Sequence, residues 1–234
     1  MNRTSTASNP VLPISPPHLG RWYALFALPL LAIMIFVFWR PIQVLPRIAL
    51  GPGFALVDQD GARLTNEDLR GHLVLYNFTY TSCQAPCPQT SLVMQALQAR
   101  LEQLDLQGLP VTLITIAFDP TRDTPEQLRA YAQRFAAKPD TWRFVSGTET
   151  QLKNVIGGGF GVYYQADTRG DFTFEPMFVL VDGTGIVRAR YRTATPELAI
   201  IERDLGLIAT EARNSTGAAR FAYEAAHLFL CYPA

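Results

Sequence analysis

Apolar residues in this chain form one long run near the amino terminus and several short runs beyond residue 53. Three short runs, at residues 73–78, 111–118 and 178–182, are rich in β-branched and aromatic side chains and have the length of buried strands. Segments with helical spacing separate them, and a DGTG turn joins the last run to residues 186–191 as a hairpin. This alternation predicts an α/β domain with a mostly parallel sheet, helices on both faces and a closing antiparallel hairpin.

Shorter signals complete the predicted order of elements. Thr65 and Asp68 have the spacing of a capping box, which predicts a short helix at residues 65–69. Either Asp123 or Thr124 is expected to cap a helix that runs through Arg134. The remaining predicted elements are strands at 54–57 and 142–145, helices after Pro88, at 148–156 and at 196–207, and a flexible glycine turn at 157–161.

The long apolar run covers residues 22–39 and carries no charged side chain. A tryptophan stands at each end, and Arg21 and Arg40 bracket the run, as expected at the two interfaces of a bilayer. Because no small-residue cleavage site follows, we interpret the run as an uncleaved transmembrane anchor rather than a signal peptide. Arginines are nearly balanced on its two sides, so charge leaves the orientation open.

Composition divides the rest of the chain around the predicted domain at 54–208. Residues 1–21 are rich in Pro, Ser and Thr and are predicted to be disordered, residues 40–53 form a proline-bearing linker, and residues 209–234 form an apolar tail. The formal net charge is zero, which provides no basic surface for nucleic acid. The sequence contains neither a zinc-type cluster of Cys and His nor a phosphate-binding glycine loop.

The strongest chemical signal is the pair Cys83 and Cys87, which lies between the strand at 73–78 and the helix after Pro88. A helix N-terminus lowers the pKa of a nearby thiol, and thiolate is the form that binds Cu(I) and attacks disulfides. The order of strand, cysteine pair, proline and helix favours a functional pair over a structural one. Metal and redox chemistry both stay open on these residues. The remaining cysteine, Cys231, stands alone and is interpreted as a packing residue or an incidental thiol.

Two motifs and one hairpin segment resemble those of a known family. TSCQAPCP at residues 81–88, FDPTRDTPEQLRAYAQRF at 118–135 and the strand–DGTG–strand segment make residues 50–208 similar to the SCO/SenC family. Its members are membrane-tethered proteins associated with assembling the copper centre of cytochrome c oxidase. The resemblance implies a thioredoxin-like fold, with a central mixed sheet flanked by helices, and an extracytoplasmic (periplasmic) domain. It also implies copper as a cofactor, and an oxidase subunit or membrane respiratory complex as the partner.

The resemblance is incomplete at the copper site, because the family binds copper with two cysteines and one histidine. Cys83 and Cys87 match the cysteines, but the histidine position falls at or near Phe174. The histidines of this chain lie elsewhere, at His18, His72 and His227. His72 begins the cysteine strand and is expected at the far end of the sheet, whereas His227 reaches the site only if the tail folds back.

The segment that replaces the histidine contains Pro176 and Met177. Met177 has the thioether that Cu(I) accepts, so the predicted metal ligands are Cys83, Cys87 and Met177, although core packing is the stronger interpretation of this methionine. Pro176 resembles the cis-proline that lies beside the cysteines in thioredoxin-like oxidoreductases. The absence of the family's histidine weakens the case for copper binding and strengthens the case for dithiol chemistry.

Two classes of function follow. In the first, Cys83 and Cys87 are the catalytic pair of an assembly factor that handles copper or reduces the cysteines of an oxidase subunit, with Cys83 as the attacking thiol. That factor would be a candidate thiol–disulfide oxidoreductase. In the second, the chain is an accessory or structural subunit of a membrane respiratory complex with a degenerate site. A peroxidase is disfavoured because Tyr80 occupies the threonine position of the Thr-x-x-Cys motif.

Overall fold

The computed structural model describes residues 19–39, 42–168, 170–217 and 219–229. The chain divides into two compact units, residues 1–41 and residues 42–234. Helix α1 (Leu19–Trp39) is the described part of the first unit. Within the described ranges, no helix combines the length and hydropathy that a membrane crossing requires. His18, Cys231 and most of the predicted disordered segment fall outside these ranges.

The second unit is built on a mixed β-sheet. The strands found among the described residues are β1 (Ala49–Leu50), β2 (Ala55–Asp58), β3 (Arg63–Thr65), β4 (Leu73–Thr79), β5 (Val111–Ala117), β6 (Trp142–Ser146), β7 (Tyr164–Ala166), β8 (Phe172–Phe174), β9 (Phe178–Val181) and β10 (Ile186–Tyr191). Eight of these strands form one sheet in the order β1-β10-β9-β4-β5-β6-β2-β3, while β7 and β8 form a separate hairpin.

The predicted mixed sheet is confirmed, but the expectation that it is mostly parallel is wrong. Only β4 with β5 and β5 with β6 are parallel among the described pairs. The pairs β2–β3 and β9–β10 are joined by short turns, and such connections can only produce antiparallel strands. The parallel centre nevertheless places the carboxyl ends of β4 and β5 at one edge, where the cysteine segment begins.

Helices cover both faces of the sheet. In the described part of the second unit they are α2 (Cys87–Arg100), α3 (Pro125–Arg134), α4 (Glu149–Leu152), α5 (Leu198–Asn214) and α6 (Ala219–Phe229), with short 3-10 turns at Glu67–Leu69 and Leu101–Gln103. The predicted box at Thr65 and Asp68 forms, since the Thr65 N–H donates to the Asp68 carboxylate at 2.8 Å and the Asp68 N–H donates to the Thr65 hydroxyl at 3.3 Å. Thr124, and not Asp123, caps α3 by accepting from the Gln127 N–H at 3.4 Å.

The glycine segment at 157–161 is not the flexible turn that its composition suggests. Residues Lys153–Phe160 continue α4 as a wider π-type helix, which ends at Gly161 with φ of 72°. Gly159 is needed because a Cβ on it would lie 2.3 Å from Cβ of Pro52. A close approach between helix and linker, rather than flexibility, therefore explains this glycine.

Two apolar layers flank the sheet because successive residues of a strand point to opposite faces. From β4, Val74 and Tyr76 enter one layer, which contains both cysteines, while Leu73 and Leu75 enter the other. Helices α2, α3 and α5 supply the second layer. Each fully buried Leu or Val contributes roughly 1.5–3 kcal/mol relative to exposure, so the central strands are firmly held beneath the cysteine segment.

The tail and the linker pack against each other in the second unit. Tyr223 and Ala226 of α6 are buried with Val44 of the linker. His227 Nε2 lies 2.8 Å from Oε1 of Glu211, at the end of α5. The described part of the tail is therefore helical and docks on the chain's own linker and on α5.

Candidate functional site

Cys83 and Cys87 lie between the carboxyl end of β4 and the first turn of α2, as predicted. The segment folds back on itself, since the Cys83 N–H donates to the Tyr80 carbonyl at 3.1 Å. Pro88 occupies the first turn of α2, where no intrahelical N–H bond is required. The two cysteines are joined by a disulfide with a Cα–Cα distance of 5.8 Å. Cys83 retains 6% of its surface and Cys87 none, so Cys83 is the more exposed residue of the pair.

The second motif anchors the loop that precedes Cys83. Oδ1 of Asp123 accepts hydrogen bonds from the Thr81 N–H at 2.9 Å and from the Thr81 hydroxyl at 2.7 Å. The other carboxylate oxygen accepts from the Asp119 N–H at 3.1 Å. Burial raises the pKa of the Asp123 carboxyl, while the hydrogen bonds from Thr81 act in the opposite direction. The two sequence motifs are thus one structural unit, with Asp123 as the link between them.

An aromatic cluster stands beside the disulfide loop. The Tyr80 ring lies 5.5 Å from that of Phe118 and 5.1 Å from that of Phe172, measured between centroids. The Arg122 guanidinium lies 5.8 Å from the centroid of Tyr80 and bonds to the Asp119 carboxylate. Of these residues, Phe118, Asp119, Arg122 and Phe172 line a cleft of about 570 Å³.

The position expected for the family histidine belongs to this aromatic cluster. Phe174 lies at the end of β8, and its ring centroid is 5.1 Å from that of Phe118. The β7–β8 hairpin that carries it was not predicted, because its strands of three residues are too short to show a clear alternation. An apolar ring therefore packs where a copper ligand was expected.

The histidines of the described residues contact other groups. His72 Nδ1 lies 2.8 Å from the Thr112 hydroxyl, at the opposite end of β4 from Cys83, which agrees with its interpretation as an ordinary turn residue. His227 contacts Glu211. In the ranges that the structure describes, no three side chains from His, Cys, Asp and Glu are grouped to hold a metal ion.

Met177 is buried in the same apolar layer as both cysteines, so its placement is compatible with packing and with a thioether ligand. Thiolate and thioether sulfur are both donors that Cu(I) accepts, whereas the residues at this position do not supply the histidine of the family's copper site. The cis peptide bond of this region precedes Pro86. The suggested cis bond before Pro176 is therefore wrong.

Comparisons with known proteins identify the family of this chain. The SCO1/SenC family model matches residues 43–207, and the chain belongs to that family. An SCO2-like protein of Rickettsia prowazekii is 38% identical over 120 residues, which cover 50% of this chain and 54% of the relative. The match thus spans about half the length of that relative.

Solved structures show the same fold. A SCO1/SenC family lipoprotein from Bacillus anthracis superimposes with a TM-score of 0.63 at 26% identity, covering 69% of this chain and 95% of that chain. ScoI of Bradyrhizobium japonicum, solved with copper bound, gives a TM-score of 0.53 at 27% identity, covering 68% of this chain and 99% of that chain. The thioredoxin-like fold predicted from the motifs is confirmed.

Proposed function

We propose that this chain is a membrane-anchored SCO/SenC protein that acts in the assembly of an oxidase copper site through the dithiol of Cys83 and Cys87. The observation that supports this most strongly is the disulfide between them at the mouth of α2, in a chain of this family. The partner is the cysteine pair of an oxidase copper site. Reduction of that pair prepares it to receive copper, because thiolate rather than disulfide binds the metal.

The proposed reaction is a two-step exchange. The Cys83 thiolate attacks one sulfur of the partner's disulfide, which breaks that S–S bond, forms a mixed disulfide and releases one partner thiolate. The Cys87 thiolate then attacks Cys83 Sγ, forming the Cys83–Cys87 disulfide and releasing the second partner thiolate. Two electrons pass from this chain to the partner. The greater exposure of Cys83 supports its role as the attacking residue.

A synthetic peptide with two oxidised cysteines tests this reaction. The reduced full chain should convert the peptide disulfide to thiols in equal amount while forming its own disulfide, as quantified by mass spectrometry after alkylation. Cys87→Ser should stop at a mixed disulfide with Cys83, and Cys83→Ser should be inactive. Equal rates for both variants and the wild type would contradict the assignment.

Copper is proposed as cargo of the same sulfur atoms. The reduced pair offers two thiolates, and Met177 offers a thioether from the same buried layer. Titration of the reduced full chain with Cu(I) against a competing chelator should give one equivalent bound. Cys87→Ser should abolish binding and Met177→Ala should weaken it. Retention of the wild-type affinity in Met177→Ala would remove this residue from the ligand set and leave it as a packing residue.

We also propose that residues 22–39 hold the domain at the outer face of the membrane. The support is an uncharged run with large exposed apolar side chains, including Tyr23, Leu25 and Phe38. A disulfide also persists more readily in an oxidising compartment. The full chain should stay in the membrane fraction after alkaline carbonate extraction, and a Leu28→Arg, Ile33→Arg variant should be released. Stoichiometric co-purification with an oxidase after detergent extraction would instead favour a permanent subunit.

A further inference from the structure

A continuous chain of buried hydrogen bonds crosses three strands and ends at Cys87. Trp142 Nε1 on β6 donates to the Thr115 hydroxyl on β5 at 2.8 Å, and that hydroxyl donates to Oδ1 of Asn77 on β4 at 2.6 Å. Nδ2 of Asn77 donates to the Thr90 hydroxyl at 3.3 Å. The Thr90 hydroxyl donates to the Cys87 carbonyl at 2.9 Å. Side chains of the sheet are thereby connected to the first turn of α2.

The donations in this series run in one direction, from Trp142 toward Cys87. The indole N–H of Trp142 is a donor only, so the Thr115 oxygen accepts from it, and the Thr115 hydroxyl donates to Oδ1 of Asn77. The NH₂ group of Asn77 then faces Thr90, whose hydroxyl donates to the Cys87 carbonyl. Side chains of β4 and β5 thus support the orientation of the last hydrogen bond.

The cost of this arrangement indicates a purpose beyond packing. Asn77 is the one amide in the run LVLYNFT of β4. All five residues linked by these hydrogen bonds are at most 1% exposed. An apolar side chain at position 77 would avoid the desolvation of a buried amide. A threonine that bonds the carbonyl three residues earlier is common in helices, but here the hydroxyl is held in that orientation by Asn77.

We propose that Asn77 and Thr90 are positioning residues for Cys87, holding its peptide unit so that its sulfur meets Cys83 when the disulfide forms. The inference rests on the proposed function, because it concerns the resolving step of that exchange. Fixing one thiol in place raises its effective concentration toward the other, which favours the disulfide over the dithiol. The Thr90 hydroxyl bonds to the Cys87 carbonyl, so the effect passes through the backbone of Cys87.

The test is the equilibrium of the full chain with reduced and oxidised glutathione, measured by alkylation and mass spectrometry. Thr90→Val keeps the shape of the side chain and removes the hydroxyl. It should lower the equilibrium constant for disulfide formation about ten-fold, which corresponds to about 30 mV. Thr90→Ser restores a hydroxyl and should return to within about two-fold of the wild type.

Ser91→Ala is the matched control. Ser91 is fully buried one residue further along α2, and its hydroxyl lies 3.0 Å from that of Tyr131, away from Cys87. This variant should lose stability in the oxidised and reduced forms alike, leaving the glutathione equilibrium unchanged.

The failure of this inference is separable from that of the proposed function. The positioning role would be overturned if the wild type formed the disulfide and the glutathione equilibrium of Thr90→Val matched that of Ser91→Ala. The proposed function would then still stand. A wild type that forms no reversible disulfide would overturn both.

Discussion

Reduction of the disulfide should destabilise the second unit by an amount that follows from the size of the closed loop. Cys83 and Cys87 are four positions apart, so the loop contains about five residues. The chain-entropy relation then gives roughly 7 cal/mol/K, which is about 2 kcal/mol at 25 °C. This is a large share of the roughly 5–15 kcal/mol of a typical domain.

Urea unfolding of the full chain, followed by circular dichroism with and without a thiol reductant, measures this loss. With a dependence of the unfolding free energy on urea of about 2 kcal/mol/M, the midpoint should fall by about 1 M on reduction. A Cys83→Ser, Cys87→Ser variant should unfold close to the reduced wild type and should not respond to the reductant. The reasoning would be refuted if the midpoint of the wild type did not move, or if that of the double variant moved equally.

Three further substitutions test specific contacts of the second unit. Arg188→Met removes the buried guanidinium that pairs with the carboxylates of Asp182 and Glu211, so the free energy of unfolding should fall by about 3–5 kcal/mol. A loss below about 1 kcal/mol would contradict the importance of this buried pairing. Asp123→Ala leaves the N–H and hydroxyl of Thr81 without their acceptor, which should lower the free energy of unfolding by about 1–3 kcal/mol. It should also speed the alkylation of reduced Cys83, and an unchanged alkylation rate would argue against the anchored loop. Gly159→Ala should lower the free energy of unfolding, measured with urea, by about 1–3 kcal/mol because its Cβ clashes with the linker. Gly157→Ala is the control, since its Cβ would lie in open space and should leave the stability unchanged. Equal effects of the two variants would rule out the clash.

The parts of the fold that could be predicted were those with a strong local pattern. The buried strands at 73–78 and 111–118 and the helix after Pro88 match β4, β5 and α2 closely, because each combines periodicity with a clear start or end signal. The direction of most strand pairs could not be predicted, since pairing is decided by contacts far apart in the sequence. The β7–β8 hairpin was not predicted because its strands are too short to show an alternating pattern.

In the candidate site too, local features could be predicted from the sequence and long-range contacts could not. Cys83 and Cys87 were identifiable because their spacing and their place before a helix are local features. Asp123 was recognised only as an alternative helix cap, since its bond to Thr81 joins residues 42 positions apart. Asn77 carried one available signal, a lone amide in an apolar strand. Its partners on β5 and α2 appear only when the sheet is assembled.

Thiol alkylation across a redox series tests the central claim most directly. The full chain with Cys231→Ser contains only Cys83 and Cys87, so its mass after alkylation reports that pair alone. Samples alkylated after reduction should carry two alkyl groups, samples alkylated after reoxidation should carry none, and a single two-electron transition should separate the two states. A mass that stays the same across the whole range would show that the pair is not a reversible dithiol couple.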